Sequence, residues 1–126
     1  MSGQKKATKI LIVDDEECIR ECISYGLKKR GFITETAGNG KEALEKVRQN
    51  KPDIIILDIT MPILDGLETC KQLKKNPDGQ NIPIIFLSAQ ERIDIIIQGM
   101  PGAIIKYIKK PFDLEYLLAQ INTLIL

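Results

Sequence analysis

Five side chains able to handle a phosphoryl group stand at the ends of separate apolar runs: the adjacent acids Asp14 and Asp15, then Asp58, Ser88 and Lys110. Carboxylates grouped in this way can hold a divalent cation, and one of them can take up a phosphoryl group. A hydroxyl and an ammonium can each bind a phosphoryl oxygen. Such a set points to an acidic metal site built to carry a phosphoryl group on an aspartate. Each member also has an ordinary reading. Asp14 and Asp15 could solvate a loop or cap a helix, Lys110 could be a surface charge, and Ser88 could be a turn residue.

The elements that must gather these residues are legible in the hydrophobic pattern. The runs Lys9 to Val13, Asp53 to Leu57, Ile82 to Leu87 and Tyr107-Ile108 are short, rich in β-branched residues and nearly free of polar breaks. Such runs read as strands covered on both faces, as parallel strands are. In an open parallel α/β sheet, ligands bind beyond the carboxyl ends of the strands, where all five residues would meet. Phe32 to Ala37 is more polar and alternating, as an edge strand is, and Lys106 to Lys109 completes a fifth strand.

Between the strands the period changes to that of helices. Ile19, Ile23 and Leu27, with Cys22 and Gly26, form a stripe that stops at Gly31, which suits a left-handed cap. Asn39 and Glu42 resemble a capping box before Ala43, Leu44 and Val47, and Lys51-Pro52 closes that helix. A third helix runs from Asp65 to about Lys75 through Leu67, Cys70 and Leu73, and Asn76-Pro77-Asp78-Gly79 is turn chemistry. Ile93, Ile96, Ile97 and Met100 predict a fourth helix ended between Gly99 and Gly102. Asp113 caps a fifth with Leu114, Leu117, Leu118, Ile121 and Leu124 on one face. Five β/α units without repeat or linker make one doubly wound α/β domain over 8–126, after an extended or disordered segment 1–7.

Composition narrows the function. A chain of 126 residues suits one domain that needs no staples. With 28% charged residues and a net charge of +1, no overall field favours nucleic acid or a membrane surface. No stretch reaches the roughly 18 to 20 apolar residues of a span, and the polar start lacks a signal core, so the expected location is cytoplasmic. The chain has three cysteines and no histidine, so the thiols are expected as core or near-surface groups and not as zinc ligands. Any phosphohistidine must come from a partner. Lys41 after Gly38-Asn39-Gly40 is no phosphate loop, since Glu35 and Glu42 stand where Gly and Ser or Thr are needed. Lys28-Lys29-Arg30 reads as the solvated basic end of the first helix.

Five stretches, in order, resemble the receiver domain of two-component response regulators: Ile10 to Asp15, Ala37 to Leu44, Asp58 to Gly66, Leu87-Ser88-Ala89 and Lys110-Pro111-Phe112. The resemblance covers essentially the whole chain. It implies a flavodoxin-like, five-stranded parallel sheet of order 2-1-3-4-5 with helices on both faces. It also implies that Asp58 is the phosphoacceptor. Asp15, Asp58 and the main-chain carbonyl of Thr60 would bind Mg²⁺, for which Mn²⁺ can substitute, with Asp14 acting through water. Ser88, Ala89, Tyr107 and Lys110 would form the phosphoryl-binding and switch group. The donor would be a histidine kinase or histidine phosphotransfer protein. The output would pass through the fourth helix, fifth strand and fifth helix to a downstream protein or fused output domain, with no direct contact to nucleic acid or membrane. In this reading the chain is a signalling phosphoacceptor and not an enzyme, beyond its own phosphorylation and dephosphorylation.

The chain also departs from the family pattern. Ile104, Ile105 and Lys106 make one residue more than expected before Tyr107, and the preceding helix is shortened in compensation. Ile95, Ile104 and Ile105 would add apolar surface near the output face, suited to a partner or a homodimer, or would be buried in the core. Thr60 and Gln90 stand where they would control water access to an acyl phosphate. An aspartate-nucleophile phosphatase is the enzyme alternative, but it needs an Asp-x-Asp pattern that Asp14-Asp15 and Asp58-Ile59-Thr60 do not supply. A flavin carrier would have its phosphate repelled by Asp14 and Asp15. A receiver-like interaction module working without phosphorylation keeps the fold and drops the chemistry.

Overall fold

The apolar runs become strands because a branched, uncharged segment loses least when both faces are covered. The computed structural model describes residues 7–59, 65–89 and 105–125. In it β1 (Lys9–Val13), β2 (Ile33–Ala37), β3 (Ile54–Asp58), β4 (Ile84–Ser88) and β5 (Ile105–Lys109) form one parallel sheet of order β2-β1-β3-β4-β5. Every residue of β3 and β4 is buried, and the polar β2 lies at an edge. The expected fold class and strand order are therefore those observed.

Alternation along each strand splits the core in two. Leu11, Val13, Ile55, Leu57 and Phe86 face α2 (Gly40–Gln49) and α3 (Gly66–Lys74), where Ala43, Val47, Cys70 and Leu73 meet them. Ile10, Ile12, Ile54, Ile56, Ile85 and Ile108 face α1 (Glu17–Lys29) and α4 (Leu114–Ile125), meeting Ile23, Leu27, Leu117 and Ile121. Burying each such Ile or Leu is worth roughly 1.5–3 kcal/mol before entropy is counted. The period of two in the strands thus decides which helix each residue meets.

The caps follow the sequence. Asn39 Oδ1 accepts from Glu42 N at 2.9 Å, while Glu42 Oε2 accepts from Gly38 N at 3.0 Å. Asp65 Oδ1 accepts from Glu68 N at 2.8 Å, and Asp113 Oδ1 from Tyr116 N at 2.8 Å. Gly31 has φ +93° and closes α1.

Some boundaries and faces move. β4 starts at Ile84 rather than Ile82, because Pro83 lacks a donor and Ile82 N is committed to Gly79 O at 3.2 Å. β3 runs one residue further than the apolar run, so that Asp58 is its last residue, paired with Leu87. Cys22, placed with the buried stripe of α1, is exposed. The expected fourth helix, and with it Ile95 and Ile104, lies outside the described residues, as does nearly all of the segment 1–7.

Candidate functional site

Strand ends position the chemistry. Asp14 follows β1, Asp58 and Ser88 are the last residues of β3 and β4, and Lys110 follows β5. Asp14, Asp58 and Ser88 are buried, at 0%, 4% and 1% exposure, although each would be solvated if it were merely a loop residue. Asp15 is exposed. Lys110 Nζ lies 3.2 Å from Asp14 Oδ2 and 3.5 Å from Asp58 Oδ1, so two buried carboxylates share one ammonium. Lys110 N donates to Ser88 O at 2.7 Å, which ties the lysine's main chain to the end of β4.

Charge and burial compete at Lys110. Burial alone would push its ammonium down, but the Asp14 and Asp58 carboxylates, by charge and by hydrogen bonding, outweigh it and raise the pKa above the ordinary lysine value. The ammonium is therefore firmly protonated at neutral pH. It stands beside the carboxylate expected to accept the phosphoryl group, where phosphoryl oxygens would gather charge.

Asp14 is engaged through all four of its polar groups. Its N–H donates to Ala37 O at 3.2 Å, its carbonyl accepts from Arg20 Nη1 at 2.7 Å, and Oδ1 accepts from Glu16 N at 2.9 Å. Its Oδ2 accepts from Lys110 Nζ. Carboxylate oxygens of Asp14, Asp15 and Glu16 all lie within 4.8 Å of one another. These hard oxygen donors fit Mg²⁺, which takes one or two protein carboxylates and otherwise water. Four carboxylates, counting Asp58, against the Lys110 ammonium and the Arg20 guanidinium leave a negative excess that a divalent cation would offset.

Most of the sequence-predicted site comes together. Asp14, Asp15, Asp58, Ser88 and Lys110 lie at one edge of the sheet, and Ala89 is exposed just beyond Ser88. Tyr107 is half-buried on β5, paired with Phe86 and packed against the core that α2 and α3 cover. Thr60 and Gln90 lie outside the described residues.

Three further residues shape the site. Glu16 joins the acidic cluster, and its signal was adjacency to Asp15. Gly66 packs so tightly under β3 that a Cβ would lie 2.2 Å from Asp58 O and 2.8 Å from Ile59 Cα. Its position at the start of α3, right after a capping aspartate, was the available cue. Arg20, which holds the Asp14 carbonyl, had none.

A doubly wound parallel sheet whose carboxyl edge gathers buried carboxylates on one lysine defines a flavodoxin-like α/β domain with an acidic centre. The response regulator receiver domain family matches residues 10–122. The response regulator MprA of Mycobacterium leprae is 41% identical over 117 residues, covering 93% of this chain and 50% of that protein. The chain spans about half the length of the curated relatives it matches. Among solved structures, the chemotaxis protein CheY4 of Vibrio cholerae superposes with a TM-score of 0.86 at 32% identity, covering 94% of this chain and 99% of that one. The receiver domain of Francisella response regulator 1452 does so with 0.83 at 35%, covering 93% and 95%. The chain belongs to the response regulator receiver domain family, the modules of two-component signalling.

Proposed function

We propose that the chain is a Mg²⁺-dependent phosphoacceptor that takes a phosphoryl group from a phosphohistidine of a partner kinase or phosphotransfer protein onto Asp58. The observation that carries this reading is the Lys110 ammonium shared by buried Asp14 and Asp58 at the carboxyl edge of the sheet. In the transfer, the P–N bond to the partner's imidazole breaks, its electron pair stays on that nitrogen, and a P–O bond forms to an Asp58 carboxylate oxygen. A carboxylate approaching an already anionic phosphorus is repelled, so positive charge must stand close by. Lys110 supplies one charge from this chain.

Asp14, Asp15, Glu16 and Asp58, with the Thr60 carbonyl, are the residues that would hold Mg²⁺. When bound, the cation neutralises phosphoryl oxygens and orients them toward the acceptor. Burial of Asp58 keeps bulk water from competing for the acceptor oxygen. Ser88, also buried at a strand end, would offer its hydroxyl to a phosphoryl oxygen, and Tyr107 on the neighbouring strand would move with it. Output through β5 and the adjoining helices follows from that movement. The partners on that side are a downstream protein, a fused output domain or a second copy of the chain. The activity is signalling, with catalysis limited to the domain's own phosphorylation and dephosphorylation.

Intact-mass measurement after incubation with a small acyl phosphate tests the reading. A single phosphoryl adduct that needs Mg²⁺ and disappears in Asp58→Asn is expected. No adduct, with a phosphohistidine donor failing too, would leave a receiver fold acting as a binding module alone.

A further inference from the structure

We propose that Arg20 is a positioning residue for the acidic loop, setting where Asp14, Asp15 and Glu16 stand and hence how tightly the site holds a divalent cation. This rests on the phosphoacceptor reading above and extends it to a residue that touches neither phosphoryl group nor cation. Arg20 is a half-buried residue in the first turns of α1. It does not point outward as a surface charge, because its Nη1 donates to the Asp14 carbonyl at 2.7 Å. The same nitrogen lies 3.4 Å from where a side chain on Gly38 would begin. The guanidinium therefore holds the loop after β1 and lies beside Gly38 in the loop after β2.

Every other polar group of Asp14 is already committed, so the carbonyl is the remaining handle by which the loop is fixed. The peptide it belongs to leads directly into Asp15, whose carboxylate is exposed. Releasing that peptide lets Asp15 drift from Asp14 and Glu16, which stay joined by the bond from Glu16 N to Asp14 Oδ1. A cation that needs their oxygens together would then be held more weakly. Bare charge acts in the opposite direction: a guanidinium next to an acidic site repels a cation, so deleting it for charge reasons alone would tighten binding. The two effects have opposite signs and different salt dependence, since only charge is screened.

The test measures Mn²⁺ binding by electron paramagnetic resonance of the free ion, at low and at high salt, for wild type, Arg20→Ala, Arg20→Lys and Arg20→Gln. Thermal unfolding is recorded on the same samples. Positioning predicts that Arg20→Ala weakens binding about tenfold at both salt concentrations. Lysine and glutamine, which can still donate to a carbonyl, should recover part of the loss, and these two variants carry the test if the alanine variant does not fold. Unchanged affinity, with or without a lower unfolding temperature, would overturn the inference, as would tighter binding that fades with salt. If wild type bound no Mn²⁺ and formed no acyl-phosphate adduct, the phosphoacceptor reading would fall and this inference with it. Wild-type binding with indifferent variants would remove this inference alone.

Discussion

Substituting Gly66 by alanine should damage both the fold and the site, for a reason confined to a few atoms. The added Cβ would lie 2.2 Å from Asp58 O, 2.8 Å from Ile59 Cα and 3.0 Å from Asp58 C. Ordinary carbon contacts sit at about 3.5 Å, so β3 and α3 must separate by about an ångström. All three atoms are main chain, so no rotamer change relieves the clash. Overpacking costs about 1–3 kcal/mol, and a clash this short against backbone belongs at the upper end. Alanine's better helix propensity returns at most about 1 kcal/mol. A net loss of about 2 kcal/mol lowers Tm by roughly 8 °C for a domain of this size. A shift of about 1 Å at the acceptor would also slow phosphoryl uptake on the order of a hundredfold.

Two other glycines serve as controls. At Gly26 the nearest atom is Leu114 Cδ2 at 2.4 Å, a side-chain end that can rotate away, so the cost nearly cancels alanine's helical gain. At Gly31 nothing lies within 4 Å, but φ +93° costs about 1–2 kcal/mol. Urea unfolding should thus rank the alanine variants as Gly66 worst, then Gly31, then Gly26, and only Gly66→Ala should slow adduct formation strongly. A Gly66→Ala protein as stable as wild type and phosphorylated at the same rate would refute the packing reasoning.

Lys110→Met should cost about 2 kcal/mol in urea unfolding without divalent cations, because two buried carboxylates lose their counter-charge, and millimolar Mg²⁺ should restore more stability to this variant than to wild type. Since Lys110 has a raised folded-state pKa, its contribution is fully present below the unfolded lysine value of about 10.4 and is lost as pH rises through the higher folded value. The stability difference between wild type and Lys110→Met should therefore stay level from pH 6 to about 9 and shrink only above about 10.4; a difference gone by about pH 8 would contradict the ion-pair account. In native protein, alkylation followed by mass should modify Cys18 and Cys22 and spare Cys70, which is buried and whose thiol burial pushes up despite nearby Lys74, until denaturant is added.

The sheet was legible because its signals are local and its strands are buried on both faces. Ile54 to Leu57 has no polar residue to mislead a reader, and Gly31, Asn39, Asp65 and Asp113 do the capping their types suggest. The strand order was harder, since pairing is a long-range property; it came from the resemblance and the sheet bears it out. The acidic set was legible by type and position. What the sequence hid was packing and main-chain bonding. Gly66 matters through the closeness of two elements, Arg20 through a carbonyl six residues back, and Cys22 left the apolar stripe because α1 buries a narrower face than its small residues suggest.

The most direct test of the central claim is chemical localisation of the phosphoryl group. Protein treated with an acyl phosphate and Mg²⁺ is reduced with borohydride, which converts an aspartyl phosphate to homoserine, and the peptides are sequenced by mass spectrometry. Phosphoacceptor chemistry predicts homoserine at position 58 and nowhere else, dependent on Mg²⁺. Reduction at Asp14 or Asp15, or none at all in protein that remains folded, would contradict it.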